Sequence, residues 1–373
     1  MDNMNDARKK IIMILTNGFD PDLRTFKEAK YLVARGFHVE VLCWDRENYH
    51  RDKEREVIEG ICVRRFYPYA KYGTGFKQLV PFFQFIRKCR IYLRSLKEPY
   101  DCHCADLDGM VTGFLSVSKG TRLVFDMREF YESGSLTHLR YFVRALVRFL
   151  QNCCYKVIYL NDLQKRYVSE KNQKKLVYLP NYPEKEKFRE IEKTVSDKIR
   201  VAFIGYVRHK EQLLSLMDAA GEFPESLEVY IHGRGVHYET LKRYAERYSN
   251  CFVTGDFNHD CIGELYRKTD LLYCVYDVKD ENDRNAYPTK FFEAIITKTP
   301  MIVADGTVIA DFCKENGIGV AIGRKYKKEL RNIFSAIIEK RGILKQMACK
   351  EEKIREEYLW ESVVTNLDEI YMK

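Results

Sequence analysis

Two stretches carry residue types suited to holding a phosphate-bearing ligand. In "AFIGYVRHKEQLLSL", Gly205 directly follows a strand-like run, and Arg208 and Lys210 come before the next helix. A glycine there lets a ligand approach the backbone. Arg208 offers a planar fork to phosphate oxygens and Lys210 a point charge. A solvated basic turn is the plainer reading of the same residues. In "NDRNAYPTKFFEAIITKTPMIVAD", residues 282–305, Pro288, Thr289 and Lys290 stand at the mouth of an apolar helix, with Glu293 one turn in. A helix start has spare backbone N–H groups and a positive dipole end, a good place for an anion. The N–H groups of Thr289 and Lys290 could cradle a diphosphate, and the Lys290 side chain adds charge. Glu293 could accept hydrogen bonds from ribose hydroxyls; the bland alternative is that it only caps or solvates the helix. The two basic mouths, on one sheet edge, support each other.

The elements that must position these residues alternate along the chain. "KIIMILT" reads as a buried strand, "DLRTFKEAKYLVARG" as an amphipathic helix ended by Gly36, and "FHVEVLCW" as the next strand. A helix over 78–97, strands at "YDCHCAD" and "RLVFDM", a helix over 136–155 and a strand at "KVIYLN" follow. Residues 181–198, with a proline and a heavy charge load, read as an interdomain linker. After it the alternation restarts, from "IRVAFIGYV" through "LEVYIHGRG", "CFVTGD" and "DLLYCVYD" to "PMIVAD" and "GIGVAIG". The pattern predicts an α/β fold of two doubly wound halves, 1–180 and 199–354, with ligands at the carboxyl ends of strands in a cleft between them.

The 373 residues are 46% hydrophobic, enough for two cores and too apolar for a disordered chain. Residues 1–198 hold 37 Lys/Arg against 26 Asp/Glu, a net +11, whereas the remainder holds 26 against 28, a net −2. The excess in the first half hints at an anionic surface or partner. Twelve cysteines are scattered, mostly within apolar runs, and read as reduced thiols of a cytoplasmic protein. The close pairs Cys102/Cys104 and Cys153/Cys154 lack zinc-site spacing. No run approaches a membrane span. In the helix over 78–97, Phe82, Ile86, Cys89, Leu93 and Leu96 recur at helical spacing and read as the face against the sheet. Arg87, Arg90, Arg94 and Lys97 gather on another face, which can touch anionic lipid headgroups. No recognised motif accompanies the charge to indicate nucleic-acid binding.

Further motifs add a resemblance. "PTKFFEAIITKTPMIVAD" is similar to the signature of glycosyltransferase family four, a Glu, seven residues and a second Glu, followed by a small helix and "G-x-P-V-I". Glu293 stands at the second Glu and Asn285 at the first. "NGFDPDLRTFKEAKYLVARGFHVEVL" resembles the family's first strand, glycine loop and helix. "YDCHCADLDG" resembles a later loop, with Ala105 where a histidine is frequent. "VFDMREFYE" resembles a "D-x-H-E-x-Y" segment, with Arg128 at the histidine. "YLPNYPEKEKF" resembles the start of the family's linker, and "YLWESVV" its last helix.

The resemblance covers nearly the whole chain and implies the GT-B fold, with a C-terminal helix, 355–373, packed back on the first domain. It implies a retaining, metal-independent transferase of a hexosyl or related sugar. The donor would be a UDP- or GDP-linked sugar in the second domain, and the acceptor a glycan or lipid-linked molecule in the first. No cofactor is implied beyond this co-substrate. Arg208 with Lys210 or Lys290 would stabilise charge on the departing diphosphate. Gly18 would let the first domain close on the phosphate and sugar, while Asn285 and Glu293 contact donor hydroxyls. Asp106, Arg128 and Glu129 would meet sugar or acceptor hydroxyls, unless they form surface salt bridges. Asp106 and Asp108 have the D-x-D spacing of a metal motif, but that spacing is common by chance, and no metal is expected. The alternatives are a nucleotide-sugar epimerase of the same fold and a non-catalytic nucleotide-sugar-binding subunit. A dehydrogenase is disfavoured, because "GYVRHK" and "TNGFDP" lack the dinucleotide glycine pattern.

Overall fold

Alternating strands and helices build two separate sheets in the computed structural model, which describes residues 9–20, 22–71, 73–131, 139–188 and 191–372. One compact unit runs to Pro180 and resumes at Val364, and the other is Asn181–Val363.

The first unit contains β1 (Lys10–Leu15), α1 (Leu23–Ala34), β2 (His38–Trp44), β3 (Arg55–Ile58), β4 (Ile61–Phe66), α2 (Leu79–Ser95), β5 (Tyr100–Ala105), α3 (Asp106–Ser116), β6 (Leu123–Asp126), α4 (Arg140–Cys153), β7 (Lys156–Tyr159) and β8 (Leu176–Tyr178). The strand order is β3-β4-β2-β1-β5-β6-β7-β8. All neighbours are parallel except β3, which runs antiparallel to β4. Ile11–Leu15 are buried along their whole length, as a strand covered by helices on both faces must be. Phe85, Cys89 and Leu93 on the sheet-side face of α2 join the core of β1, β2 and β5, and Ile86 is buried beside them.

The second unit contains β9 (Ile199–Ile204), α5 (Lys210–Ala220), β10 (Leu227–His232), α6 (Tyr238–Ala245), β11 (Cys251–Gly255), α7 (Ile262–Arg267), β12 (Leu271–Cys274), α8 (Glu281–Asn285), α9 (Thr289–Ile296), β13 (Met301–Ala304), α10 (Val308–Asn316), β14 (Gly319–Ile322) and α11 (Tyr326–Glu339). Its order, β11-β10-β9-β12-β13-β14, is parallel throughout. Both sheets reverse direction of winding next to their first strand, between β1 and β5 and between β9 and β12. Such switch points open a crevice beyond the carboxyl ends of the strands, where ligands of open α/β sheets bind.

Several elements differ from the sequence expectations. The β3–β4 hairpin was not foreseen; its turn places Glu59 and Gly60 at φ 47° and 83°, the twist a two-residue hairpin requires. Residues expected as a linker lie in the second unit. They are tied there by the Lys193 ammonium, which donates to Tyr266 O and Thr269 O at 2.8 Å. The expected helix 355–373 is a series of short turns, because Leu359 is extended at ψ 145°. Only the part from Val364 joins the first unit. There Asp368 pairs with Arg35 and accepts from the Tyr31 hydroxyl at 3.0 Å. Residues 132–138 of the segment before α4 lie outside the described residues.

Candidate functional site

In the second unit, the strand-end glycine and the helix-mouth lysine meet. Gly205 leaves β9 at φ +134°, a conformation open to glycine and strained for other residues. A Cβ built on it would lie 2.7 Å from Lys290 Nζ. On the next strand, Gly233 has φ +126°, and a Cβ there would lie 2.0 Å from the Gly205 carbonyl oxygen. The two strand ends therefore need glycine to approach. Lys290 Nζ lies 4.0 Å from the ring centroid of Phe203 and 5.6 Å from that of Tyr276, and no carboxylate among the described residues pairs with it. Burial lowers its pKa to about 8, with Arg208 adding to the effect. An amine so placed gains from an incoming anion.

Around this lysine, α9 is preceded by Pro288, whose side chain makes no capping hydrogen bond, so the first N–H groups keep their donors for another partner. The Thr289 hydroxyl accepts from Asn181 Nδ2 at 2.8 Å. Glu293 is buried, and its Oε2 accepts from the Tyr266 hydroxyl at 2.9 Å. The same hydroxyl reaches Lys290 O at 3.2 Å, so Tyr266 fixes both the helix turn and the carboxylate. Arg208, largely exposed, donates through Nη2 to Asp283 Oδ1 at 2.8 Å and through Nε to His209 Nε2 at 3.0 Å. Burial and Arg208 keep His209 neutral, its pKa lowered to about 4, consistent with an accepting Nε2. Burial raises Asp283 to about 6 against the pull of Arg208. Lys210 is exposed at the first position of α5, and Asn285 ends α8, half-buried.

The first unit holds Gly18, Asp106, Arg128 and Glu129 beyond the ends of β1, β5 and β6. The Gly18 carbonyl accepts from Arg65 Nε at 3.0 Å, and a Cβ at Gly18 would meet only ordinary contacts. Arg128 is bound on every side: Nε to Asp126 at 2.6 Å, Nη1 to Asp22 at 3.2 Å, Nη2 to the Thr25 hydroxyl at 2.7 Å. Asp22 in turn caps α1 through Thr25 N. Asp126 also receives Arg24, at 2.7 and 3.1 Å. Burial opposes its charge, but Arg24 and Arg128 outweigh burial and hold its pKa well below the usual carboxylate value. Asp106 sits at φ +61° and accepts from the Tyr131 hydroxyl at 2.7 Å. Burial raises it to about 7, against Arg128. Glu129 is exposed.

Sequence reasoning missed the centre of this network. His103 Nε2 lies 3.2 Å from Glu28 Oε2, and Nδ1 lies 2.9 Å from the Tyr371 hydroxyl. Burial disfavours the imidazolium, yet Asp126 and Glu28 raise its pKa to about 9. Glu28, His103 and Asp126 are close enough to share a cation, but the Arg24 guanidinium already pairs with both carboxylates, at 3.0 and 2.7 Å. Also missed were His209, Gly233, Tyr266 and Asp283. Of these, the glycine of "IHGRG" was the one with a readable signal, a strand-end glycine like that of "FIGYV".

Residues 184–355 match the family model "Glycosyl transferases group 1". No curated protein matches the sequence. Among solved structures, sucrose-phosphate synthase from Thermosynechococcus elongatus is 14% identical, with 98% of each chain covered and a TM-score of 0.75. WaaG, a glycosyltransferase involved in lipopolysaccharide biosynthesis, is 13% identical over 96% of this chain and 99% of its own, TM-score 0.66. HepE of Anabaena, solved in complex with UDP, is 14% identical over 97% and 99%, TM-score 0.67. The described cysteines are all unpaired, and no helix among the described residues is long and apolar enough to cross a membrane. The second unit carries the family match along most of its length, and the chain as a whole shares the GT-B fold of these solved structures.

Proposed function

We propose that the protein transfers a hexosyl or related sugar, with retention at the anomeric carbon, from a UDP- or GDP-linked donor to a glycan or lipid-linked acceptor. The setting is polysaccharide or glycoconjugate biosynthesis at the cytoplasmic face. The donor lies in the second unit and the acceptor in the first. The observation that carries this reading is the Lys290 ammonium, seated 2.7 Å from where a Gly205 Cβ would be, at the β9/β12 switch point beside the uncapped mouth of α9.

As the bond from sugar to diphosphate lengthens, negative charge grows on the leaving phosphate. Lys290, the N–H groups of Thr289 and Lys290, and Arg208 released from Asp283 meet that charge, which supports chemistry without a metal. Lys210 draws the anion toward the site from the exposed start of α5. Glu293, aligned by Tyr266, takes the ribose hydroxyls, and Asn285 the sugar. In the first unit, Asp106 and Glu129 remain for the acceptor, while Arg128 holds the loop that carries them. The likeness to Anabaena HepE, solved with UDP and with UDP-glucose, supports a uridine nucleotide as the first to try.

A thermal-shift panel of nucleoside diphosphates and nucleotide sugars, run on wild type, Arg208→Ala and Glu293→Ala, tests the donor site. One nucleotide should raise the melting temperature, less so in both variants. No shift from folded protein with any nucleotide sinks the reading. Retention is read from the anomeric coupling of the product by NMR. A non-catalytic binding subunit draws support from one observation, the full engagement of Arg128; binding without turnover on any acceptor would favour it.

A further inference from the structure

The first unit has a surface whose apolar side chains face outward. On α2 and the turn before it, Phe76, Val80, Phe83 and Ile91 are exposed, Phe76 to 78%. Arg87 and Arg94 share this stripe at helical spacing with Val80 and Ile91. The opposite face of α2 is the one buried on the sheet. The neighbouring α4 repeats the pattern. Val147 and Leu150 point to the core, while Phe142, Leu146 and Phe149 are exposed, Phe142 to 80%. Between the two lies α3, hydrogen-bonded to α2 from Ser116 Oγ to Ile86 O at 3.3 Å. Its exposed Phe114 packs edge-on against Phe149 at 5.3 Å. Two helices with an apolar face on each side, joined by a third, leave one of those faces without a partner among the described residues.

On α2 and α4 the charges have one sign, while α3 carries Asp106 and Asp108 in its first turn. Residues 60–97 contain nine Lys/Arg and no Asp or Glu, and α4 adds Arg140, Arg144 and Arg148, again with no acid. A second copy of the chain would bring cations against cations, which opposes self-association through this face. What complements shallow aromatic and aliphatic side chains set among cations is a surface anionic at its face and apolar beneath. We propose that the α2–α3–α4 face docks on an anionic lipid bilayer. Phe83 and Phe142 enter the headgroup boundary, and Arg87 and Arg94 pair with lipid phosphates. With no described helix able to span a bilayer, the protein lies on the surface. This inference stands independently of the donor site, since none of its residues belongs to it.

The test is co-sedimentation of the full chain with vesicles of phosphatidylcholine alone and with about one third phosphatidylglycerol added. Binding to the anionic vesicles should exceed binding to neutral ones by about tenfold or more and weaken at high salt. Phe83→Ser with Phe142→Ser, and separately Arg87→Glu with Arg94→Glu, should each lower it about tenfold. Their far-UV circular dichroism and nucleotide-induced thermal shift should stay as in wild type. As a check that needs no loss of binding, the emission of Phe142→Trp should move to shorter wavelength when anionic vesicles are added. The proposal is overturned by equal binding to both vesicles, by an unmoved Phe142→Trp emission, or by a single-stranded oligonucleotide that binds this face and releases the vesicles. A dimer in sedimentation equilibrium that the Phe83→Ser, Phe142→Ser protein no longer forms would overturn it as well.

Discussion

At the carboxyl ends of β1, β5 and β6, the central buried charges pair with one another: Asp126 with Arg24 and Arg128, Glu28 with Arg24 and His103, Asp22 with Arg128. At the ends of β9 and β12, the Lys290 ammonium rests on the rings of Phe203 and Tyr276 instead of on a carboxylate. The two crevices share a strand order, so topology cannot account for the contrast; the side chains do. A site whose charges are mutually satisfied resists change, because removing one partner strands the other in low dielectric. A site with an unmatched cation is completed by its ligand.

The largest effect should follow from emptying the first site. Asp126→Ala leaves Arg24 and Arg128 without their shared carboxylate and should cost about 3–5 kcal/mol in urea unfolding. A loss below about 1 kcal/mol would mean the network is solvated and the contrast false. Lys290→Met should do the reverse. Nucleotide affinity, measured by calorimetry, should fall about 100-fold, while stability holds or rises, because a desolvated charge has gone. Gly205→Ala combines φ +134° with crowding at Lys290 Nζ and should cost about 1–3 kcal/mol and weaken nucleotide binding with it.

The pH dependences sharpen the comparison, because the two sites titrate in opposite senses. The Lys290 pKa is lowered from 10.5 to about 8. Its contribution to stability is therefore present above pH 10.5 and lost as pH falls through 8. The diphosphate needs the charged form, so affinity should drop as pH rises above 8, by up to about tenfold per unit, and Lys290→Met should flatten the profile. The His103 pKa is raised from 6.5 to about 9, so its contribution is complete below pH 6.5 and lost as pH rises through 9. Tyr371→Phe, which removes the hydroxyl at His103 Nδ1, should be the mildest change, about 1 kcal/mol. A null effect at pH 6 would indicate that water replaces the hydroxyl.

How legible each site was in the sequence follows from how it is assembled. Gly205, Arg208 and Lys290 announce themselves locally, one at a strand end and one at a helix mouth, and each stretch spans a few residues. The network of the first unit draws on Asp22, Arg24 and Glu28 from α1, His103 from β5, Asp126 and Arg128 around β6, and Tyr371 near the C-terminus. No local pattern joins these positions. Arg24 and Glu28 on a helix read as a solvated pair until the strand ends beneath them are known. The two α/β halves were plain from alternating apolar runs. The breaks in 355–372 were not, because each turn is individually helix-like and the interruption at Leu359 is a single backbone torsion.

The return of the chain to the first unit at Val364 has a consequence for synthesis. His103, Glu28 and Asp126 leave the ribosome early, but the Tyr371 hydroxyl that closes over the imidazole follows only after the whole second unit. At roughly 5–20 residues per second, that delay is on the order of ten to forty seconds. Throughout it, the nascent first unit carries a charged pocket open to water and the bare flank of α1 where Asp368 will dock. Until residues 364–372 have been made the first unit lacks the contacts of Asp368 and Tyr371, and a chaperone that recognises that flank would act within this window.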